Sequence, residues 1–150
     1  MCSLSKEMAP PTVGVDTVRS KINDDSLRLV DVRREEEYNQ GHIPNAVNLP
    51  LASLLSGDSP ESAIKLFEEI GIGDSTEVVV YDDTFGALAS RIAWTLQYIG
   101  HKNVALLEVT YSQWKELGLK TNKEKPNIKP AKHSLNLNSD IMATAEYLEN

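Results

Sequence analysis

Acidic side chains follow two strongly apolar segments of the chain. Asp31 and Arg33 come at the end of the first segment, and Asp82 and Asp83 follow the β-branched run 78–81. Continuous apolar runs of this kind are typical of parallel strands covered on both faces. Functional groups in such sheets lie beyond the carboxyl ends of the strands. The sequence therefore predicts a site where these charged residues meet.

A strand-end carboxylate such as Asp82 allows two interpretations. It could be a nucleophile that forms an aspartyl phosphate, but the phosphatases that work this way need a D-x-D spacing, and Asp82 and Asp83 are adjacent. A response-regulator receiver would need further acidic residues and a later lysine, and the fit is poor. The favoured interpretation is a helix cap, worth about 0.3–1 kcal/mol. Arg91 could pair with Asp82, Asp83 or Asp31.

The chain has a single cysteine, Cys2. One cysteine cannot form an internal disulfide or a multi-cysteine metal site. We expect no metal and no organic cofactor, and the predicted site has no thiol of its own.

Composition limits the possible partners. The 150 residues are 41% hydrophobic with a net charge of −7, as expected for one globular domain with tails. An acidic chain repels phosphate backbones, so nucleic-acid binding is not expected. No apolar run approaches the ~20 residues that span a bilayer, and the N-terminus lacks the apolar core of a secretory signal. We therefore expect no membrane association and a cytoplasmic location.

Apolar periodicity and turn residues define the expected elements. Strands are predicted over 27–32, 46–49, 77–81 and 104–107, and helices over 13–22, 34–40, 60–70, 86–99 and 111–117. Residues 51–58 are interpreted as a loop, the polar stretch 121–138 as a linker, and 139–149 as a further helix. The alternation favours an open, mainly parallel α/β sheet.

The segment 29–46 resembles the N-terminal signature of the rhodanese family, in which D-x-R is followed by E-[FY] and then G-H-I-P-x-A. The matching positions are Asp31, Arg33, Glu37, Gly41, His42 and Pro44. An Asp31–Arg33 ion pair can brace the loop, and His42 can hydrogen-bond backbone across the turn. A framework role is favoured for this motif over direct chemistry.

The segment 78–94 resembles the active-site strand, loop and helix of the same family, with one departure. A catalytic rhodanese carries cysteine after the strand tyrosine, in a loop whose amides wrap the sulfur, whereas Asp82 follows Tyr81 here. A persulfide carrier needs a thiolate with a lowered pKa, and a carboxylate cannot replace it. Asp82, with Arg91 and Trp94 in the next helix, is similar to the first domain of tandem sulfurtransferases.

The segment 100–114 resembles the family pattern G-x-x-x-V-x-x-L-x-G-G-x-x-x-W, but Val109 and Thr110 replace its paired glycines. The local loop conformation is therefore expected to differ. Trp114 is interpreted as a core anchor.

The resemblance implies a rhodanese-like α/β fold with about five strands and helices on both faces. It divides the chain into a flexible tail over 1–12, the domain over 13–120, and, over 121–150, a linker plus the first helix of a second rhodanese domain on a longer chain. The implied partners are that catalytic C-terminal domain and a small sulfur donor, thiosulfate or 3-mercaptopyruvate. This chain alone would then not catalyse sulfur transfer.

The alternative is a stand-alone binding or regulatory module. Backbone amides at the N-terminus of the helix near Gly86 could hold an anion, although Asp82 and Asp83 oppose it.

Overall fold

A computed structural model describes residues 10–57 and 59–137 of the chain. In chain order its elements are β1 (Thr12–Val13), α1 (Val15–Lys21), β2 (Leu27–Asp31), α2 (Glu35–Gln40), β3 (Val47–Asn48), α3 (Leu51–Leu55), α4 (Pro60–Glu69), β4 (Glu77–Tyr81), α5 (Ala87–Tyr98), β5 (Val104–Leu107) and α6 (Tyr111–Glu116).

The strands form a single sheet in the order β1-β5-β4-β2-β3, and every pairing is parallel. The predicted α/β fold with five strands is therefore confirmed. The fifth strand is Thr12–Val13. The sequence pattern predicts a tail that ends at residue 12 and a helix that begins at residue 13, and this prediction was wrong. Two β-branched residues are too few to show a period of two, so only their pairing with β5 reveals the strand.

Two hydrophobic layers cover the two faces of the sheet. Along β4, Val78 and Val80 pack under α4 and α5, whereas Val79 and Tyr81 pack with the layer that includes Val18 and Trp114. Alternate residues of one strand thus contribute to different cores, which explains why β4 is apolar from Val78 to Tyr81.

Residues 51–58 were expected to be a loop, but Leu51–Leu55 is the helix α3. Its sequence, LASLL, consists mostly of good helix formers, and Leu54 is buried in the core. The nearby serines and Gly57 are typical of loops, and the five residues of this helix are too few to show a helical period. The sequence therefore shows no clear helical signal here.

The polar segment after α6 contains no helix between 121 and 137, yet it is held against the domain. Asn122 exchanges two backbone hydrogen bonds with His42, of 2.9 and 3.0 Å, and Ala131 N donates to Glu68 O at 2.9 Å. Asn136 N donates to Ile99 O at 3.1 Å. The helix expected over 139–149 lies outside the described residues. No helix among the described residues is both long and apolar enough to cross a membrane.

Candidate functional site

Two loops leave the sheet side by side at the carboxyl ends of its central strands. Asp31, the last residue of β2, is in register with Tyr81, the last residue of β4. The next residues of each strand, including Arg33 and Asp82, therefore begin neighbouring loops, as the sequence predicts.

The expected ion pair between Asp31 and Arg33 is present and buried. Arg33 Nη2 donates to Asp31 Oδ2 at 2.7 Å, and Arg33 Nε lies 3.1 Å from both carboxylate oxygens. The hydroxyl of Tyr81 donates to Asp31 Oδ2 at 2.6 Å. Burial first, and then the Asp31 charge, raises the pKa of Tyr81 well above its ordinary value, so this hydroxyl stays a neutral donor.

This network also fixes the loop that begins at Gly41. Arg33 Nη2 donates to Gly41 O at 2.7 Å, and the Tyr81 hydroxyl accepts from Ile43 N at 3.2 Å. Gly41 has φ +156°, and a Cβ there would lie 2.9 Å from the hydroxyl oxygen of Tyr111. The position therefore suits glycine for both conformation and space.

His42 is completely buried and acts within the framework. Its ring stacks on Tyr38 with 4.0 Å between centroids, and its Nδ1 lies 2.8 Å from Ile43 O. Its Nε2 has no hydrogen-bond partner among the described residues. Pro44 is half-buried in the same loop, while Glu37 pairs with Arg34 on the surface at 3.2 Å. These contacts support a framework role for the motif.

The Asp82 carboxylate, only 3% exposed, is surrounded by hydrogen-bond donors. Its Oδ1 accepts from the backbone amides of Thr84 at 3.0 Å and Gly86 at 2.9 Å. Its Oδ2 accepts from the amides of Leu88 at 3.0 Å and Ala89 at 2.8 Å, and from the Thr84 hydroxyl at 2.8 Å. We call these four amides the amide cradle.

The cradle determines the charge of Asp82. Burial alone would raise its pKa, but the hydrogen bonds from Ala89, Thr84 and Gly86 outweigh burial and lower the pKa below its ordinary value. The carboxylate is therefore ionised at neutral pH, and it caps α5 as the sequence predicts. Because the five donors satisfy both oxygens, the carboxylate has little capacity left to act as a nucleophile or to ligate a metal.

Asp83 joins this loop to the start of α6. Its Oδ1 accepts from Ser112 N at 2.9 Å, and its Oδ2 accepts from the Ser112 hydroxyl at 2.8 Å. Next to it, Phe85 is 84% exposed and has φ +57°, while Gly86 has φ +94°. The two consecutive left-handed residues turn the chain around Asp82, and only the second is a glycine.

A cavity of about 130 Å³ lies beside the cradle, lined mainly by residues from the ends of β4 and β5 and from the Asp82 loop. Phe85 forms part of its wall. Among residues 10–57 and 59–137, no group of three or more histidine, cysteine, aspartate or glutamate side chains could hold a metal ion.

Comparison with known proteins identifies the family. A family model described as "Rhodanese-like domain" matches residues 14–117. The chain belongs to the rhodanese-like domain family. The putative thiosulfate sulfurtransferase of Synechococcus elongatus is 31% identical over 122 residues, which are 75% of this chain and 38% of that protein. The rat (Rattus norvegicus) thiosulfate sulfurtransferase is 28% identical over 154 residues, or 90% of this chain and 52% of that protein.

This rhodanese-like chain thus spans about half or less of the length of these relatives. Among solved structures, SseA of Escherichia coli, described as a 3-mercaptopyruvate sulfotransferase, aligns with a TM-score of 0.75 at 20% identity. The alignment covers 91% of this chain and 63% of SseA. At that identity the likeness shows a shared fold.

One expectation for the rhodanese-like helix α5 concerned an ion pair of Arg91. Arg91 is exposed and makes no ion pair with a described carboxylate, so the expected pairing with Asp82, Asp83 or Asp31 was wrong. Its guanidinium lies 5.2 Å from the ring centroid of Trp94 instead. One helical turn separates these two residues, so their stacking satisfies Arg91 locally.

The loop with Val109 and Thr110 in place of the family's paired glycines ends in a capping box that was not predicted from the sequence. The Thr110 hydroxyl accepts from Gln113 N at 3.1 Å, and Gln113 Oε1 accepts from Thr110 N at 2.8 Å. The T-x-x-Q spacing before α6 could have revealed it. Trp114, 1% exposed, is buried as expected, and its Nε1 donates to Lys120 O at 2.8 Å.

Proposed function

We propose that this domain is the non-catalytic rhodanese domain of a longer sulfurtransferase. In this proposal a second, C-terminal rhodanese domain carries the catalytic cysteine and receives sulfane sulfur from thiosulfate or 3-mercaptopyruvate. The domain described here supports that partner and forms one wall of the substrate cleft. The names and lengths of the relatives support such a two-domain protein.

The observation that carries the proposal is the occupation of the amide cradle. A persulfide carrier would need these amides to stabilise a thiolate at position 82. Here an ionised carboxylate accepts all four of them, at 2.8–3.0 Å. The loop therefore has the architecture of a sulfur-binding loop, while a covalently attached anion takes the place of the sulfur.

The exposed side of the loop supports a role in docking. Phe85 projects into solvent at the edge of the cavity beside Asp82. A large apolar side chain at a loop tip is held there by the cradle and by the Asp83–Ser112 contacts. Such a rigid apolar anchor suits contact with another protein surface, which we assign to the catalytic domain.

The occupied cradle also argues against the alternative of a stand-alone anion-binding module. Its amides already donate to Asp82, so an incoming sulfate or phosphate would have to displace a tethered carboxylate of the same sign. An exposed aspartate, Asp83, adds to the repulsion.

Intact-mass measurement with thiosulfate tests the proposal. The 150-residue chain with Cys2→Ser should gain no sulfur and form no thiocyanate from thiosulfate and cyanide. The protein isolated from its source should have roughly twice the mass of this chain, in line with the 52% coverage of the rat enzyme, and should gain one sulfur atom. Sulfur uptake by the Cys2→Ser chain, or a native mass equal to that of this chain, would contradict it.

A cysteine placed at position 82 tests the geometry of the cradle. In the Cys2→Ser background, Asp82→Cys should give a thiol with a pKa below the ordinary value of about 8.5, because the amides favour the thiolate. The pH dependence of alkylation by iodoacetamide measures this pKa. A thiol with an ordinary or raised pKa would refute the argument that the loop is shaped for a sulfur anion.

A further inference from the structure

A second cavity, of about 240 Å³, lies at the amino-terminal edge of the sheet, away from the Asp82 loop. Arg28, near the start of β2, forms one wall. Asp24 and Asp25 form another wall, and Asn127 and Ile128 close the cavity from the polar segment after α6. None of these residues belongs to the site described above.

Arg28 is held in place but is not neutralised. A Cβ on Gly71 would lie 2.9 Å from Arg28 Nη2 and 3.1 Å from Nε, so the guanidinium rests against the glycine backbone. Its Nε is buried without a hydrogen-bond partner among the described residues, and no described carboxylate forms an ion pair with it. Burial lowers the pKa of Arg28 and the Asp25 charge opposes this. The Gly71 side covers Nε, so a ligand cannot reach that atom, but Arg28 also lines the cavity. A half-buried charge without an ion pair is costly, and a ligand carboxylate in the cavity would lower that cost at the part of the guanidinium that the glycine leaves open.

The wall formed by Asp24 and Asp25 carries the opposite charge. Asp24 accepts from the amide and hydroxyl of Ser26, at 2.9 and 2.8 Å, and these bonds lower the pKa of Asp24. Asp25 is exposed and forms no ion pair with a described cation. A simple anion would therefore meet two carboxylates, and a simple cation would meet the guanidinium. A molecule with both charges satisfies both walls.

We propose that this cavity binds a small zwitterion of the α-amino acid class, with its carboxylate on Arg28 and its ammonium group facing Asp24 and Asp25. The cavity volume of about 240 Å³ is large enough for a single amino acid. Leu27, Leu29 and Ile128 supply the apolar part of a lining that is otherwise polar, and a small aliphatic side chain can contact this part.

Amide NMR titration of the 150-residue chain with L-leucine tests the proposal, with isocaproate and isoamylamine as ligands that lack one charge each. Leucine should shift the amide signals of Asn23, Arg28 and Ile128, and should bind at least about tenfold more tightly than either control, a factor worth about 1.4 kcal/mol. If isocaproate, which lacks the ammonium group, bound as tightly as leucine, the proposal that the ligand is a zwitterion would be overturned. The absence of saturable leucine shifts up to about 50 mM would overturn the site.

Two variants assign the two charges. Arg28→Met keeps the apolar stem and should weaken leucine binding at least about tenfold. Asp25→Asn, at an exposed position that folding tolerates, should weaken leucine binding and leave isocaproate unaffected or improved. If Arg28→Met does not fold, the Asp25→Asn variant still tests the site. Unchanged leucine affinity in Asp25→Asn would overturn the proposed contact between the ammonium group and Asp25.

Discussion

The free energy of unfolding should depend strongly on the carboxylate of Asp82. In Asp82→Ala the four cradle amides lose the carboxylate, although the Leu88 amide still has the Thr84 hydroxyl oxygen as an acceptor at 3.3 Å. The amide of Ala89 belongs to a buried residue, whereas Thr84 is exposed and its amide can turn to water. An unsatisfied buried donor costs about 1–3 kcal/mol, and the amides of Gly86 and Leu88 should each lose less. We expect a total loss of about 3–4 kcal/mol, at the upper end of ordinary single substitutions.

The Asp82→Asn variant keeps the shape of the side chain and removes its charge, so it measures how much the charge contributes to stability. The amide group keeps one oxygen but turns an NH₂ toward two of the cradle amides, so donors face donors. We expect a loss of roughly 2 kcal/mol at pH 7, measured by urea unfolding, since hydrogen bonds to charged groups contribute about 1.5–3 kcal/mol. Asp25→Asn, which changes an exposed carboxylate outside every described ion pair, is the control and should stay within about 0.5 kcal/mol of the unaltered protein.

The difference in unfolding free energy between the unaltered protein and Asp82→Asn should become smaller as the pH falls. Because the folded-state pKa of Asp82 is lowered, its stabilisation is present above the ordinary value of 3.8 and is lost as the pH falls through the folded-state pKa. The gap between the unaltered protein and Asp82→Asn should therefore narrow in acid. A gap below about 0.5 kcal/mol at pH 7, or one that is the same at pH 7 and in acid, would refute the reasoning.

Three further predictions concern the rest of the framework. Asp31→Asn should cost about 3–5 kcal/mol in urea unfolding, because it leaves a buried guanidinium uncompensated; a loss below about 1 kcal/mol would contradict this. Asp83→Ala should cost about 1 kcal/mol through its two bonds to Ser112 and should speed amide exchange at the start of α6, and unchanged exchange would count against that link. His101 Nδ1 lies 2.8 Å from His133 Nε2, and burial lowers the pKa of His101, so stability should fall as the pH drops below about 6.5. His101→Gln should reduce this acid sensitivity, and an equal pH dependence in both proteins would argue against the histidine contact.

The sequence predicts those parts of the fold whose signals are local or periodic. β2, β4 and β5 are buried on both faces and read as apolar runs, and α4 is marked by Ser59 at its N-cap and Pro60 at its first turn. The elements that were missed are short, namely β1 with two residues and α3 with five. Pairing with β5 creates the first, and packing of Leu54 under the sheet stabilises the second. Tertiary contacts determine whether such short elements form, and the residue pattern of a single sequence does not show which contacts are made.

The candidate site shows the same division. A carboxylate next to a helix N-terminus predicts capping, and D-x-R at a strand end predicts the ion pair. The predicted ion pair of Arg91 was wrong. The spacing of residues along a helix does not reveal whether the Arg91 side chain points toward the Asp82 loop or stacks on Trp94, one turn further along. The hydroxyl of Tyr81 was also missed, since only the register of β2 with β4 brings it to Asp31.

The amide cradle explains how this loop can fold with an aspartate at position 82. A loop that directs four amides inward is unstable unless an anion meets them, and a thiolate and a carboxylate both meet that requirement. Aspartate at position 82 satisfies the amides permanently, so the loop stays folded without any bound sulfur. In the non-catalytic role that we propose, aspartate at position 82 supplies no thiol nucleophile, while Phe85 and Asp83 remain exposed beside the loop. If the domain holds a catalytic partner as we propose, Asp82→Ala should weaken that contact as well as the stability of the domain, because the loop that carries Phe85 loses its carboxylate acceptor.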